Sequence, residues 1–226
     1  MFGFLKLLAD DDDEERSDET PPVQGRSMVD PVAWDGFWRE ELESGMAAFV
    51  DMFCASGGLV DAMRANGLRT ILCAGSGISQ EPRALAHAGF DVTALDLSPL
   101  AMRIASETKP PRKWLDKLIE RRTPRRGGKI RFVTGDIRDP SICPGPYDVI
   151  IDRRMLQLFS EEDRRAAMRA LAGRLRSPGL FFSHSHRNGP ARRGCPADWF
   201  NAEGWPRWRG GAHLTGQVAW LFSSSG

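Results

Sequence analysis

Between Arg69 and His186 the chain repeats a pattern that few architectures satisfy: an apolar run of strand length, a polar turn, then a helix-patterned stretch. The runs are RTILCA, FDVTALDL, KIRFVTGDI, YDVIID and GLFFSHSH, and runs such as RTILCA, without polar alternation, need cover on both faces. The segments SQEPRALAHAG, SPLAMRIASE and SEEDRRAAMRALAGRL carry helix start and stop signals, including Ser98 and Ser160 as N-caps and Gly89 as a stop. Strands that alternate with helices predict an α/β fold built on a doubly wound, mostly parallel sheet.

With 226 residues and 41% hydrophobic content, the chain can bury one sizeable core, so one domain with an appendage is expected. The appendage is 1–28. Eight acids crowd Asp10 to Glu19 against the single base Arg16, and such a segment cannot bury enough apolar surface to offset its ordering entropy. The leading MFGFLKLLA is too short to span a bilayer, lacks a basic start and runs into acids where a cleavage site would fall. The domain is expected over 29–226, with 29–68 as a helical cap. Asp30-Pro31 starts a helix carrying Trp34, Phe37, Trp38 and Leu42 at helical spacing, either as one helix or as two with a break near Gly45. A short helix from Leu59 to Ala65 ends at Asn66-Gly67. At the other end, ADWFNAEGW reads as a short helix, and PRWRGGAHLTGQVAWLFSS holds two extended runs too close together for a crossover, hence an antiparallel hairpin.

Formal net charge is +1, which argues against attraction of the whole molecule to nucleic acid or membrane. The eight bases of Arg112 to Lys129, with Trp114 among them, would suit phosphate and base contacts, although a solvated helix face is the commoner meaning of such a run. Cys54, Cys73, Cys143 and Cys195 lack C-x-x-C spacing, so neither a zinc site nor a disulfide scaffold is expected. These features describe a cytoplasmic protein with reduced thiols and no metal, monomeric or homodimeric.

The chemistry gathers at TILCAGSGISQEPRALAHAGFDVTALDLS. Gly75-Ser76-Gly77 turns a strand into a helix, where a ligand can approach the backbone, and Asp96-Leu97 closes the next strand with an acid able to accept both hydroxyls of a ribose. A dinucleotide fingerprint would carry Gly or Ala at the position of Gln80, so the turn argues weakly for NAD. S-adenosylmethionine has no pyrophosphate and needs the turn, the ribose acid and an acid or amide near the adenine. Asp136 in VTGDIRD stands after the third strand to meet the adenine amino group, with Ile137 beside it to pack on the ring.

In this order of elements the sequence resembles the class I S-adenosylmethionine-dependent methyltransferases from about Asp30 onward. The resemblance implies a Rossmann-like, seven-stranded sheet with helices on both faces and a C-terminal antiparallel hairpin strand. It matches Gly75 and Gly77 to the glycine-rich turn, Asp96 to the ribose acid, Asp136 to the adenine acid, and YDVIID, with Asp152, to the strand bordering the methyl donor. Cys73 stands where the family usually has an acid, and Ser79 where it has a third glycine. GFWREELESG, LCAG, GDIRD and IIDRRMLQLFSEEDRRAAMRAL look like the thiopurine methyltransferase branch. That likeness implies Trp38 as an aromatic covering the donor and Arg153 as a residue facing the substrate. Leu42 replaces a second expected Trp, and LCAG carries one extra residue.

Each of these residues also has a plainer meaning. Gly75, Gly77 and Asp96 would serve an ordinary strand–helix turn, and Trp34, Phe37 and Trp38 the buried face of an amphipathic helix. Arg153 would equally pair with a neighbouring acid. His184 and His186 point to one face of the fifth strand at its carboxyl end, as candidate bases for a hydroxyl or amine acceptor or as structural residues. The expected activity is methyl transfer from S-adenosylmethionine to a small-molecule sulfur, oxygen or nitrogen nucleophile. RNA methylation, NAD-dependent redox chemistry and non-catalytic donor binding are the alternatives.

Overall fold

The computed structural model describes residues 29–44, 58–109, 127–153, 155–184 and 219–223. The acidic segment 1–28, Gly45, the bases Arg112 to Arg126 with Trp114, His186, ADWFNAEGW and the first arm of the hairpin lie outside the described residues.

Helix α1 is Pro31–Glu43 and α2 is Gly58–Ala65. The sheet strands are β1 Thr70–Ala74, β2 Asp91–Asp96, β3 Ile130–Thr134, β4 Tyr147–Arg153, β5 Leu175–His184 and β6 Ala219–Ser223. Between them stand α3 Glu81–His87, α4 Pro99–Glu107, a 3₁₀ turn at Leu156–Leu158 and α5 Glu161–Ala172. Strand order is β3-β2-β1-β4-β5-β6, parallel except for β6, which runs antiparallel to β5. Six strands are therefore present among the described residues.

The unalternating strands are buried on both faces. Ile71 and Cys73 of β1, Val149 and Ile151 of β4, and Leu180 and Phe182 of β5 join α2 and α3 residues in one core layer. Leu72, Ala74, Ile150 and Phe181 join Leu156, Met168 and Leu171 in the other. Most are fully buried, and each large side chain contributes roughly 1.5–3 kcal/mol by leaving water. The period-2 geometry of a strand splits one apolar run between two cores.

The sequence places α5 through Leu175, but the helix stops at Ala172 and β5 begins at Leu175. Arg174 is the cause. It is 1% exposed, its carbonyl accepts from Tyr147 N–H at 2.8 Å, and its guanidinium turns inward. Nε donates to Ile142 O (3.1 Å) and Cys143 O (3.2 Å), one terminal nitrogen to Ile137 O (2.8 Å), and the other to Ile142 O and Asp139 O. A surface arginine in the helical reading is thus the peg that holds the 137–143 loop.

β1 has β2 on one side and β4 on the other, so chain direction through the sheet reverses there. Such a switch point opens a crevice at the carboxyl ends of the two strands. Ala74 and Asp152 are register partners at that edge.

Candidate functional site

The turn after β1 is held by β2 and needs its glycines. Gly75 and Ser76 donate to Leu95 O at 2.9 and 3.1 Å, extending the parallel ladder past the strand end. Gly75 and Gly77 have φ of +64° and +51°, a region that costs an L-residue roughly 1–2 kcal/mol. Each also carries a neighbour where a Cβ would stand. A Cβ on Gly75 would lie 2.5 Å from Met155 Cβ, and one on Gly77 would lie 2.5 Å from Trp38 Cζ2. Met155 and the Trp38 indole therefore flank a bare stretch of backbone.

Asp96 ties this turn to the next. Its Oδ2 accepts from Gly77 N–H at 2.8 Å and its Oδ1 from Ser98 N–H at 2.9 Å. Burial, the strongest influence, pushes its pKa up. The Ser98, Gly77 and Leu97 N–H groups oppose this, and the nearby Asp35 charge adds to the rise. Gly77 and Ser98 take one oxygen each and Leu97 N–H adds a third donor, which leaves the carboxylate acceptor capacity for a further donor.

Helix α1 is fastened over this edge by its own acid. Asp30 N-caps it, accepting from Val32 N–H at 2.9 Å. One turn on, Asp35 Oδ1 accepts from the Ser98 hydroxyl and from Leu100 N–H at 3.1 Å, joining α1 to the first turn of α4. Trp34, Phe37 and Trp38 stack edge to face at 5.4 and 5.0 Å. Of the apolar spacing that predicts this helix, Leu42 faces solvent at 41% exposure. None of α1's residues is fully buried.

Asp136 sits after β3, where Gly135 N–H donates to Asp96 O at 2.9 Å. Its carboxylate is already forked by Arg138, at 3.1 Å from Nε to each oxygen and 2.7 Å from Nη2, and Arg138 also reaches Asp163. Burial would raise the Asp136 pKa, but the Arg138 hydrogen bonds and charge outweigh it and hold the carboxyl below its ordinary value. Ile137, read from sequence as a face for the adenine, is 4% exposed and packs in the core layer containing Leu72 and Ile150.

Asp152 is 1% exposed and saturated from within the chain. Ser183 Oγ donates to Oδ2 at 2.7 Å, and Met155 and Leu156 N–H donate to Oδ1 at 3.0 and 3.1 Å. Burial raises its pKa to about 6 against those three hydrogen bonds. It thereby shapes the loop that carries Met155 onto Gly75. Cys73 is also 3% exposed, within the apolar layer of Ile71 and Phe182. Arg153 and His184 are register partners at the carboxyl end of β4 and β5, while their side chains, and the whole of His186, lie outside what is described.

Together, the structure gathers Trp38, Gly75, Ser76, Gly77, Asp96 and Leu97 around one turn, with Asp136 after the adjacent strand and Asp152 beneath the β4 loop. Sequence reasoning missed Asp35, Met155, Arg138 and Arg174. The Asx-like spacing of Asp136 and Arg138 offered a signal for one; the others act through contacts across 63 or more residues of chain, or through the inward turn of a helix end.

Residues 72–183, from β1 to β5, match the methyltransferase domain family. A TehB-like S-adenosylmethionine-dependent methyltransferase from Corynebacterium glutamicum superposes with a TM-score of 0.57 at 18% identity, over 86% of this chain and 100% of that one. A structure solved for the conversion of a disulfide bond into a thioacetal group during echinomycin biosynthesis gives 0.54 at 22%, over 86% and 91%. The plantazolicin methyltransferase BpumL, in complex with a monoazolic desmethylPZN analogue and S-adenosylhomocysteine, gives 0.52 at 16%, over 74% and 61%. At these identities the likenesses show the shared fold. Comparison with curated protein sequences gives no match.

The matched domain and the switch-point fold are those of the class I S-adenosylmethionine-dependent methyltransferases. The chain is a methyltransferase, and its cofactor is S-adenosylmethionine. Among the described residues no helix is long and apolar enough to cross a membrane.

Proposed function

We propose that the enzyme methylates a small-molecule nucleophile in the cytoplasm, with the donor laid across Gly75-Ser76-Gly77 and its ribose on Asp96. The observation that carries this reading is the Asp96 carboxylate, oriented at the turn by Gly77 and Ser98 N–H groups, one on each oxygen, with acceptor capacity left for a ribose hydroxyl. The absence of a Cβ at Gly75 and Gly77 lets Met155 and Trp38 close on the turn from either side. Asp35, Asp96 and Asp152 make the edge acidic, which suits a donor carrying a sulfonium and an ammonium against one carboxylate. Cys73 and Cys143, buried as thiols, fit a reducing compartment.

When bound, the donor supplies an electrophilic methyl group on sulfur with a neutral thioether as leaving group. What falls to the protein is alignment and exclusion of water. Trp38, lying on Gly77, covers the donor in the manner of the thiopurine methyltransferase branch. Asp136 lies on the adenine side, its Arg138 pair fixing its orientation, and Ile137 supports that side from within the core. Asp152 positions the loop bearing Met155 instead of touching the donor. The acceptor enters at the carboxyl ends of β4 and β5, where Arg153 holds an anionic group and His184 or His186 takes a proton from a hydroxyl or amine; a thiolate needs no base. Segment 1–28 is an appendage, 29–68 the cap and 29–226 the domain. Residues beyond β5 add a seventh strand outside the antiparallel β6, completing the hairpin.

Two measurements test this. Calorimetry with S-adenosylhomocysteine should show Asp96→Ala weakening binding at least about tenfold, as expected for hydrogen bonds to a charged group; unchanged affinity removes the ribose assignment. Release of S-adenosylhomocysteine is then followed with panels of small thiols, amines and hydroxyls, and with RNA. Turnover on RNA alone overturns the acceptor class.

A further inference from the structure

Three buried polar side-chain atoms around the glycine turn have no hydrogen-bond partner among the described residues: Trp38 Nε1, Ser76 Oγ and Gln80 Oε1. Leaving such an atom unpaired costs roughly 1–3 kcal/mol, so unpaired groups are rare away from places that receive a ligand. These three share one small region. Ser76 is 7% and Gln80 3% exposed, within the same short turn, and the Trp38 ring lies against Gly77 between them.

Their chemistry is complementary to a zwitterion. Trp38 Nε1 can only donate, Gln80 Oε1 can only accept, and a hydroxyl does either. The Gln80 amide is oriented by Ile78, whose carbonyl accepts from Nε2 at 3.3 Å, so the oxygen is the end left free. Other polar groups of the turn are engaged: Ser79 Oγ accepts from Glu81 N–H at 3.1 Å, and Asp96 is held by Gly77 and Ser98. Cys73 belongs to an apolar core layer and offers no charge.

Resting on the reading that the donor lies on Gly75-Ser76-Gly77, we propose that Gln80, Ser76 and Trp38 form the subsite for its amino-acid end. Gln80 Oε1 accepts from the ammonium, and Trp38 Nε1 and Ser76 Oγ donate to the carboxylate. The bulky Gln80, which argued against a dinucleotide, thus has a positive task. A neutral amide oxygen takes over from the acid that Cys73 replaces, and Trp38 acts as both cover and ligand.

The test compares two ligands on the wild-type protein and three variants by calorimetry. S-adenosylhomocysteine carries the amino-acid end, and 5′-methylthioadenosine lacks it. Gln80→Leu should lose about ten- to a hundredfold in affinity for the first and less than about twofold for the second. Gln80→Glu, which keeps an acceptor, should retain S-adenosylhomocysteine binding and so shows that a Leu defect is not misfolding. Trp38→Phe should follow the same ligand split. Equal loss of both ligands in Gln80→Leu, or no loss of either, overturns the subsite. If the wild-type protein binds 5′-methylthioadenosine and S-adenosylhomocysteine equally, the subsite fails while the donor site stands; if it binds neither, the donor reading fails too.

Discussion

Asp152→Asn should reverse its effect on stability with pH. Asp152 is 1% exposed, and burial lifts its pKa from an ordinary 3.8 to about 6. Below 3.8 both folded and unfolded chains hold the proton, and the group is neutral toward folding. Between 3.8 and about 6 the folded chain keeps a proton that the unfolded chain releases, so raising the pH favours unfolding. Above about 6 both are ionised and the whole cost is carried. Roughly two pH units at about 1.4 kcal/mol each make that cost about 3 kcal/mol. Asparagine keeps an oxygen for Met155 and Leu156 N–H but cannot accept from Ser183 in the same way, a loss of about 1 kcal/mol. The variant should then be about 1 kcal/mol less stable than wild type at pH 3 and about 2 kcal/mol more stable at pH 7.5. Urea unfolding of both proteins across that range gives the difference directly, cancelling the other titrating groups. A difference that stays constant with pH would refute the account of Asp152 as a buried, titrating acid.

Two further substitutions probe the frame of the site. Gly77→Ala should cost about 2–3 kcal/mol, combining the +51° φ with a collision at 2.5 Å against Trp38; in a double-mutant cycle with Trp38→Ala about 1 kcal/mol should be recovered, and strict additivity would show that the two do not touch. Arg174→Met removes the donors of four loop carbonyls and should destabilise by about 3–5 kcal/mol in denaturant unfolding, with Arg174→Lys between that and wild type. A cost below about 1 kcal/mol would mean that the 137–143 loop holds without its peg.

The legible parts of this protein were those written in local chemistry. The apolar runs of β1, β2, β3 and β4 and the caps at Asp30, Ser98 and Ser160 stand where the pattern placed them. The start of β5 was illegible because RLRSPG reads as helix end and turn, and only the pull of Arg174 toward the 137–143 carbonyls makes a strand of it. Asp152 and Ile137, read from sequence as cofactor contacts, are 1% and 4% exposed, the first held by Ser183 and the second by the core layer of Leu72 and Ile150, contacts that no local pattern carries.

Sequence alone determined the layered fold, the glycine turn and the acid after the second strand, since strand period, helix caps and glycine's freedom at positive φ are properties of neighbouring residues. Tertiary structure decided what the turn faces. Trp38 reaches Gly77 because Asp35 pins α1 to α4, Met155 reaches Gly75 because Asp152 folds its loop, and Gln80, whose amide nitrogen is turned to Ile78 O, keeps an oxygen with no partner among the described residues. Contacts between distant segments depend on packing free energies summed over the whole core, which no local pattern encodes.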